Sequence, residues 1–318
     1  MLQLNRWRHR TPERIVDIIE FHSFQLADKE HIMSYFGEHH YEQCDCSFDT
    51  LFLWQDVYHT VWAEKDDALF ISAGRGEQRF FLPPFALERS AFVHGLDLIK
   101  EEQKKAGHPF LLKSASPWVV ARMKELCPDC YEYAEDRDNW EYIYKTEDMI
   151  SLPGKKFRMK KNQLNGFLRT YPDYQYESVT KANLIECHES ARQWFVRHEE
   201  EASLDHEVTA MRVMFDHWDE LGMKGAAIRI YGKIEAFSIG SLLNPKMAHI
   251  HFEKANPEIR GLYQAINRDF LVREFSDTEF VNREEDLGIP GLRQAKMGYN
   301  PDHFAEKYDV MVKEECRG

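Results

Sequence analysis

Residues 226–231, 234–243 and 247–253 form three extended runs joined only by the turn signals Gly232-Lys233 and Asn244-Pro245. Connections so short leave no room for a crossover, so the runs predict a three-stranded antiparallel meander. An extended run at 174–179 and two helices precede it. The first helix, 182–198, aligns Leu184, Cys187, Ala191 and Phe195 along one stripe. The second carries Val208, Met211, Phe215 and Trp218 on one face, with Asp205 as its expected cap and Gly222 as its stop. After the meander come a helix at 261–275, a short extended run at 279–282, a helix at 289–296 and a last strand near 307–312.

That order, β-α-α-β-β-β-α-β-α-β, resembles the GNAT acyltransferase fold, in which the fourth strand and the helix after it diverge to form a cofactor cleft. The first half repeats the order loosely. It offers a strand near 20–26, a helix near His31, strands at 58–64, 68–73 and 79–82, a helix at 87–106, a strand at 110–113, a helix at 117–126 opened by proline, and a strand at 140–144. The expected fold class is α/β (α+β): two tandem GNAT (acyl-CoA N-acyltransferase-like) domains, each a mixed, largely antiparallel sheet flanked by helices. The expected division is 1–150, a basic connecting segment 151–172, and 173–318; a chain of 318 residues accommodates two domains with a core each.

The formal charge of −13 argues against indiscriminate nucleic-acid binding. Lys155, Lys156, Arg158, Lys160, Lys161 and Arg169 nevertheless cluster without an acidic residue among them, either as a solvated helix face or as a phosphate contact. The charged start Met1-Leu-Gln-Leu-Asn-Arg-Trp-Arg-His-Arg10 has no apolar run suited to a signal peptide or membrane span, so the expected location is cytoplasmic. Six cysteines include Cys44, Cys46, Cys127 and Cys130, for which a disulfide, a redox pair and a split metal site are all conceivable; reduced cysteines and no metal are the expectation.

Three segments, Gly154-Lys-Lys-Phe-Arg-Met-Lys-Lys-Asn-Gln-Leu-Asn165, His251-Phe-Glu-Lys-Ala255 and Val281-Asn-Arg-Glu-Glu-Asp-Leu-Gly-Ile-Pro-Gly-Leu-Arg-Gln-Ala-Lys296, resemble the phosphatidylglycerol lysyltransferase C-terminal domain family. The resemblance runs from about residue 51 to 308 and is similar in kind to the Fem-type aminoacyltransferases. It implies an acyltransferase that moves an aminoacyl group from aminoacyl-tRNA to an acceptor, with no tightly bound cofactor and with peripheral lipid contact in prospect. An acetyl-CoA N-acetyltransferase and a non-catalytic GNAT-fold binding protein are the alternatives.

Acyl transfer requires a base, donors for the oxyanion and an acid for the leaving group. Alternation along 247–253 puts His249, His251 and Glu253 on one strand face, which makes His251 and Glu253 candidate bases; Tyr299 is the candidate proton donor. Asn282, Arg283, Glu284, Glu285 and Asp286 stand at a strand end as an amine or phosphate pocket, with helix capping as the rival role for the acids. Arg293 and Lys296 share a helix face that could meet a phosphate. Glu258-Ile-Arg-Gly261-Leu-Tyr263 departs from the Gln/Arg-x-x-Gly-x-Gly/Ala pattern of coenzyme A enzymes of this fold, so coenzyme A is disfavoured while Gly261 can still serve a tight turn. Donor binding then falls to Lys155, Lys156, Arg158, Lys160, Lys161, Asn162 and Gly261, with tRNA as the partner.

Overall fold

The computed structural model describes residues 19–37, 41–180, 182–195 and 201–313. The first half comprises α1 (Lys29–Gly37), α2 (Phe48–Tyr58), β1 (Val61–Lys65), β2 (Ala68–Ala73), β3 (Phe80–Phe81), α3 (Arg89–Lys105), β4 (Leu111–Ala115), α4 (Pro117–Leu126), β5 (Tyr131–Glu135) and β6 (Glu141–Lys145). Next come α5 (Thr146–Ser151) and α6 (Arg158–Thr170). The second half comprises β7 (Gln175–Ser178), α7 (Leu184–Phe195), α8 (Glu201–Asp216), α9 (Trp218–Leu221), β8 (Lys224–Ile230), β9 (Lys233–Asn244), β10 (Met247–Ala255), α10 (Leu262–Glu274), β11 (Phe280–Asn282), α11 (Pro290–Met297), β12 (His303–Ala305) and β13 (Tyr308–Val312).

Two mixed sheets organise these elements, in the orders β1-β2-β3-β4-β13-β5 and β12-β6-β11-β10-β9-β8-β7. Each sheet contains one parallel pair, β3 with β4 and β10 with β11, bridged by α3 and α10 respectively. The halves are equivalent in this respect, and both have GNAT-like topology. They also exchange strands. β13, the last strand of the second half, inserts between β4 and β5 of the first sheet, while β6 inserts between β11 and β12 of the second. Sheet membership thus crosses the sequence divisions at 150 and 173 in both directions, and neither sheet is complete without the other half.

Several sequence expectations are corrected. The strand near 20–26 is reduced to a single bridge between His22 and Trp62. Residues expected to open the strand at 58 instead close α2, whose Phe48, Leu51 and Phe52 are buried and which ends at left-handed His59. The strand near 307–312 belongs to the first sheet. Asp205 lies within α8 rather than at its cap. Residues 196–198 of the expected 182–198 helix lie outside the described residues. The basic connecting segment 151–172 carries a one-turn helix at 155–157 followed by α6.

One core fastens the halves together: Phe48, Leu51 and Phe52 of α2 pack with Ala210, Met211 and Met214 of α8 and with Phe237, Ile239 and Phe252 of the second sheet. The opposite face of that sheet is covered by α5, α6 and α10, through Met149, Leu164, Phe167, Ala265, Ile266 and Phe270. Full burial of a side chain such as Phe270 contributes about 1.5–3 kcal/mol. Gly261 precedes α10 at φ 87°, and a Cβ there would stand 2.3 Å from the Gln163 carbonyl of α6. Its missing side chain is what lets α10 start against α6.

Candidate active site

β10 and β11 pair in register only from Met247↔Phe280 to His249↔Asn282, after which β10 continues to Ala255 and the two chains part. The notch between them is the place where side chains of both strands can face a substrate. A second irregularity shapes it. Ile250 pairs with Gly240 and Phe252 with Ile239, so His251 is the extra residue of a β-bulge. Gly240 permits the distortion, since a Cβ there would lie 2.4 Å from the His249 carbonyl.

The bulge overturns the alternation expected along this strand. Ala248 and Ile250 pack in the core under α10, whereas Phe252 packs in the core shared with α2 and α8. His249 and Glu253 therefore occupy opposite faces of the sheet. On the α2 side, His249 bonds Glu284 at 3.0 Å, and the rings of His249 and His251 lie 4.0 Å apart. His251 is tied to the Ser241 hydroxyl at 2.9 Å, and burial, with His249 adding to it, holds its pKa well below the usual imidazole value. A buried imidazole so reluctant to accept a proton is a poor general base at neutral pH.

On the α10 side, Arg283 donates to Glu253 at 2.6 Å, and Asn267 of α10 donates to the other carboxylate oxygen at 3.2 Å. Both members of the pair are largely buried. Glu253 holds the Arg283 guanidinium charged against the pull of burial. Tyr299, which follows α11, stands beside them with the Arg283 guanidinium 5.2 Å from its ring centroid. Its hydroxyl is buried, with the Gln264 side chain as its polar neighbour. Burial pushes its pKa up to about 12. Lys160 of α6 completes the group, its ammonium 4.1 Å from the Tyr299 ring centroid and 3.4 Å from the Ala295 carbonyl. Burial, with Arg283 adding to it, brings Lys160 down to about 8.

The structure separates the other sequence candidates by role. Lys155, Lys156, Arg158, Lys161 and Asn162 are exposed along α6 and the turn before it, with Lys156 paired to Asp148 at 3.0 Å. Lys160, expected with them on a phosphate-facing surface, is instead inside. Asp286 is fully buried: Tyr142, Arg293 and the Gly288 N–H all donate to it, and against its burial these bonds hold it at about 2. Asp286 and Arg293 anchor the loop before α11. Lys296 donates to the Arg283 carbonyl at 2.7 Å and to that of Glu285, which fixes the backbone behind Arg283. Asn282 is buried and donates to Glu141 and to the Glu42 carbonyl, joining the halves. Gly261 serves helix packing, as described above.

Sequence reasoning missed the place of Lys160 and the contribution of Asn267. A signal for Lys160 was present: Phe157, Lys160, Leu164 and Phe167 recur at helical spacing, and all four are buried. It also expected reduced cysteines, whereas Cys127 and Cys130 are disulfide-bonded; Cys44, Cys46 and Cys187 are free and buried.

Two GNAT-like halves with a notch at the parting parallel strands define a tandem GNAT-like domain of the acyltransferase type. Residues 38–311 match the family described as phosphatidylglycerol lysyltransferase, C-terminal, and the chain belongs to that family. It is similar, at 32% identity and a TM-score of 0.85, to a conserved protein of unknown function from Bacteroides thetaiotaomicron, over 93% of this chain and 100% of that one. The L-PGS structure from Bacillus licheniformis shares the fold at 15% identity and a TM-score of 0.63, over 90% of this chain and 92% of that one. A tandem GNAT protein from the clavulanic acid biosynthesis pathway shares it at 10% identity and a TM-score of 0.50, over 93% and 98% of the two chains. An uncharacterized protein of Mycoplasmoides gallisepticum is 23% identical over 172 residues, and the match spans about half of either chain, 54% of this one and 56% of that one.

Proposed function

We propose that this chain is an aminoacyl-tRNA-dependent acyltransferase that delivers an aminoacyl group to an acceptor held in the notch between β10 and β11. The observation that carries the reading is the cluster of Glu253, Arg283, Tyr299 and Lys160 at that notch, in a chain of the phosphatidylglycerol lysyltransferase C-terminal family. The ion pair supplies a carboxylate for the ammonium of the aminoacyl group and a guanidinium for a phosphate of the acceptor.

Attack of the acceptor on the aminoacyl ester forms a tetrahedral oxyanion. Tyr299, which keeps its proton at neutral pH, donates a hydrogen bond to that oxygen. The bond from the carbonyl carbon to the tRNA ribose oxygen then breaks. Lys160 gives its proton to the departing oxygen and recovers the one that the acceptor loses, a task suited to a group titrating near 8. Exposed Lys155, Lys156, Arg158 and Lys161 supply the contact for tRNA phosphates beside it. Coenzyme A is a weaker fit, because Gly261 is committed to packing against Gln163 and Phe167. Met159, Leu287, Ile289 and Met297 are exposed on elements that frame the notch, which suits peripheral contact with a lipid surface. No helix among the described residues is long and apolar enough to cross a membrane.

The test is release of labelled amino acid from charged tRNA into acceptor mixtures, lipid extracts among them. Tyr299→Phe is expected to lower the rate about 10²–10³-fold, as loss of one oxyanion donor does. Its stability should stay within about 1 kcal/mol of the wild type, because the deleted hydroxyl is buried and its one polar neighbour is Gln264. A Tyr299→Phe enzyme of full activity would remove Tyr299 from the chemistry.

A further inference from the structure

On the sheet face opposite the Glu253–Arg283 pair, a second polar cluster lies between the halves and plays no part in the transfer described above. Cys44 comes from the turn before α2, Glu141 from β6, His249 from β10, and Glu284 and Glu285 from the loop after β11. The Cys44 sulfur, one ring nitrogen of His249 and one carboxylate oxygen of Glu284 lie within 4.8 Å of one another, and Cys44, Glu141 and Glu285 form a second such trio on the same sulfur. We propose that Cys44, His249 and Glu284 bind a first-row divalent metal ion, zinc by preference, and that the ion clips the N-terminal half to the second sheet.

The donor set fits that chemistry. One thiolate, one imidazole and carboxylate oxygens suit zinc, whose bonds of about 2.0–2.3 Å require ligand atoms about 3.5 Å apart, so closure by about 1 Å completes the trio. His249 has no exposed side-chain surface, yet its Nδ1 has no partner among the described residues. A buried imidazole with one unanswered nitrogen costs stability unless something meets it. Charge points the same way. Asp45, Asp49, Glu141, Glu284 and Glu285 converge on this region, while the facing ammonium groups are Lys307 on Asp45 and Glu141, Lys29 on Asp49, and Lys296 near Glu284 and Glu285.

Uptake of the ion exchanges the Cys44 thiol proton, released to solvent, for the sulfur–metal bond. Glu284 is held at φ 56°, a left-handed conformation that a glutamate rarely adopts. That turn sends Glu284 to His249 while its neighbour Arg283 reaches Glu253 on the other face.

The experiment is titration of the chelator-treated full chain with Co²⁺, followed by displacement with Zn²⁺. One Co²⁺ per chain is expected, with a thiolate-to-cobalt charge-transfer band that Zn²⁺ bleaches. Cys44→Ser should lose the band, and Glu284→Gln, at a partly exposed position where misfolding is less of a concern, should weaken Co²⁺ binding at least 10-fold. A Cys127→Ser/Cys130→Ser double variant should bind as the wild type does. Absence of saturable Co²⁺ binding, or a band that survives Cys44→Ser or moves with Cys127 and Cys130, overturns the proposal. Because the readout is metal binding, it stands or falls separately from aminoacyl transfer.

Discussion

Arg283→Met is expected to lower the stability of the chain by about 3–5 kcal/mol, because it leaves the buried Glu253 carboxylate without its cation. Asn267 answers only one of the two carboxylate oxygens, so little else near Glu253 offsets the loss. Combining Arg283→Met with Glu253→Leu removes both charges, and the double variant should be more stable than either single one. Urea denaturation of the four proteins measures this coupling. Simple addition of the two single effects would show that the pair contributes nothing beyond its parts. Transfer activity should be lost in all three variants, since the guanidinium that meets the acceptor phosphate, or the carboxylate that meets the aminoacyl group, is gone in each.

Lys160→Met separates catalysis from stability in the opposite direction. Methionine keeps the apolar body of the side chain against Tyr299 and removes the charge. If Lys160 moves the proton to the leaving oxygen, the rate falls about 10²–10⁴-fold. Stability should rise instead. The folded-state pKa of Lys160, about 8, lies below the unfolded value of about 10.4, so between these values the unfolded chain binds more protons and wild-type stability increases with pH. At pH 7 burying the ammonium costs roughly 3 kcal/mol, which the variant recovers in part. The wild-type rate should fall above about pH 8, and the Lys160→Met residual rate should lack that step. A variant that loses stability at pH 7 and keeps the wild-type pH profile would contradict the assignment.

The second half was readable because its turns are short. Gly232-Lys233 and Asn244-Pro245 leave β8, β9 and β10 no arrangement other than neighbours, and that meander is present. The exchange of β6 and β13 was not readable, since a strand's own pattern shows that it is extended and half-buried without showing which sheet it joins. The bulge at His251 was hidden for a related reason. Alternation along 247–253 reads as unbroken, and the residue that admits the distortion, Gly240, stands on the partner strand. That one insertion moved His249 and Glu253 to opposite faces and divided a single expected site into two. Asp286 and Arg293 were singled out for separate roles, but their bond to each other, and the one that Tyr142 of the first half donates to Asp286, could be seen only once β6 was placed beside β11. Lys160 was grouped by charge with its neighbours although its helical spacing set it among Phe157, Leu164 and Phe167.

The direct test of the account is a titration of the purified full chain with aminoacyl-tRNA and, separately, with acetyl-CoA, at low and moderate salt. A Lys155→Ala/Lys156→Ala/Lys161→Ala variant is run alongside, with buried Lys160 left in place. The account predicts saturable binding of aminoacyl-tRNA that weakens steeply as salt rises and is lost in the variant, since each phosphate contact removed reduces both affinity and salt dependence. Saturable binding of acetyl-CoA without binding of aminoacyl-tRNA would contradict it and make the chain an acetyltransferase.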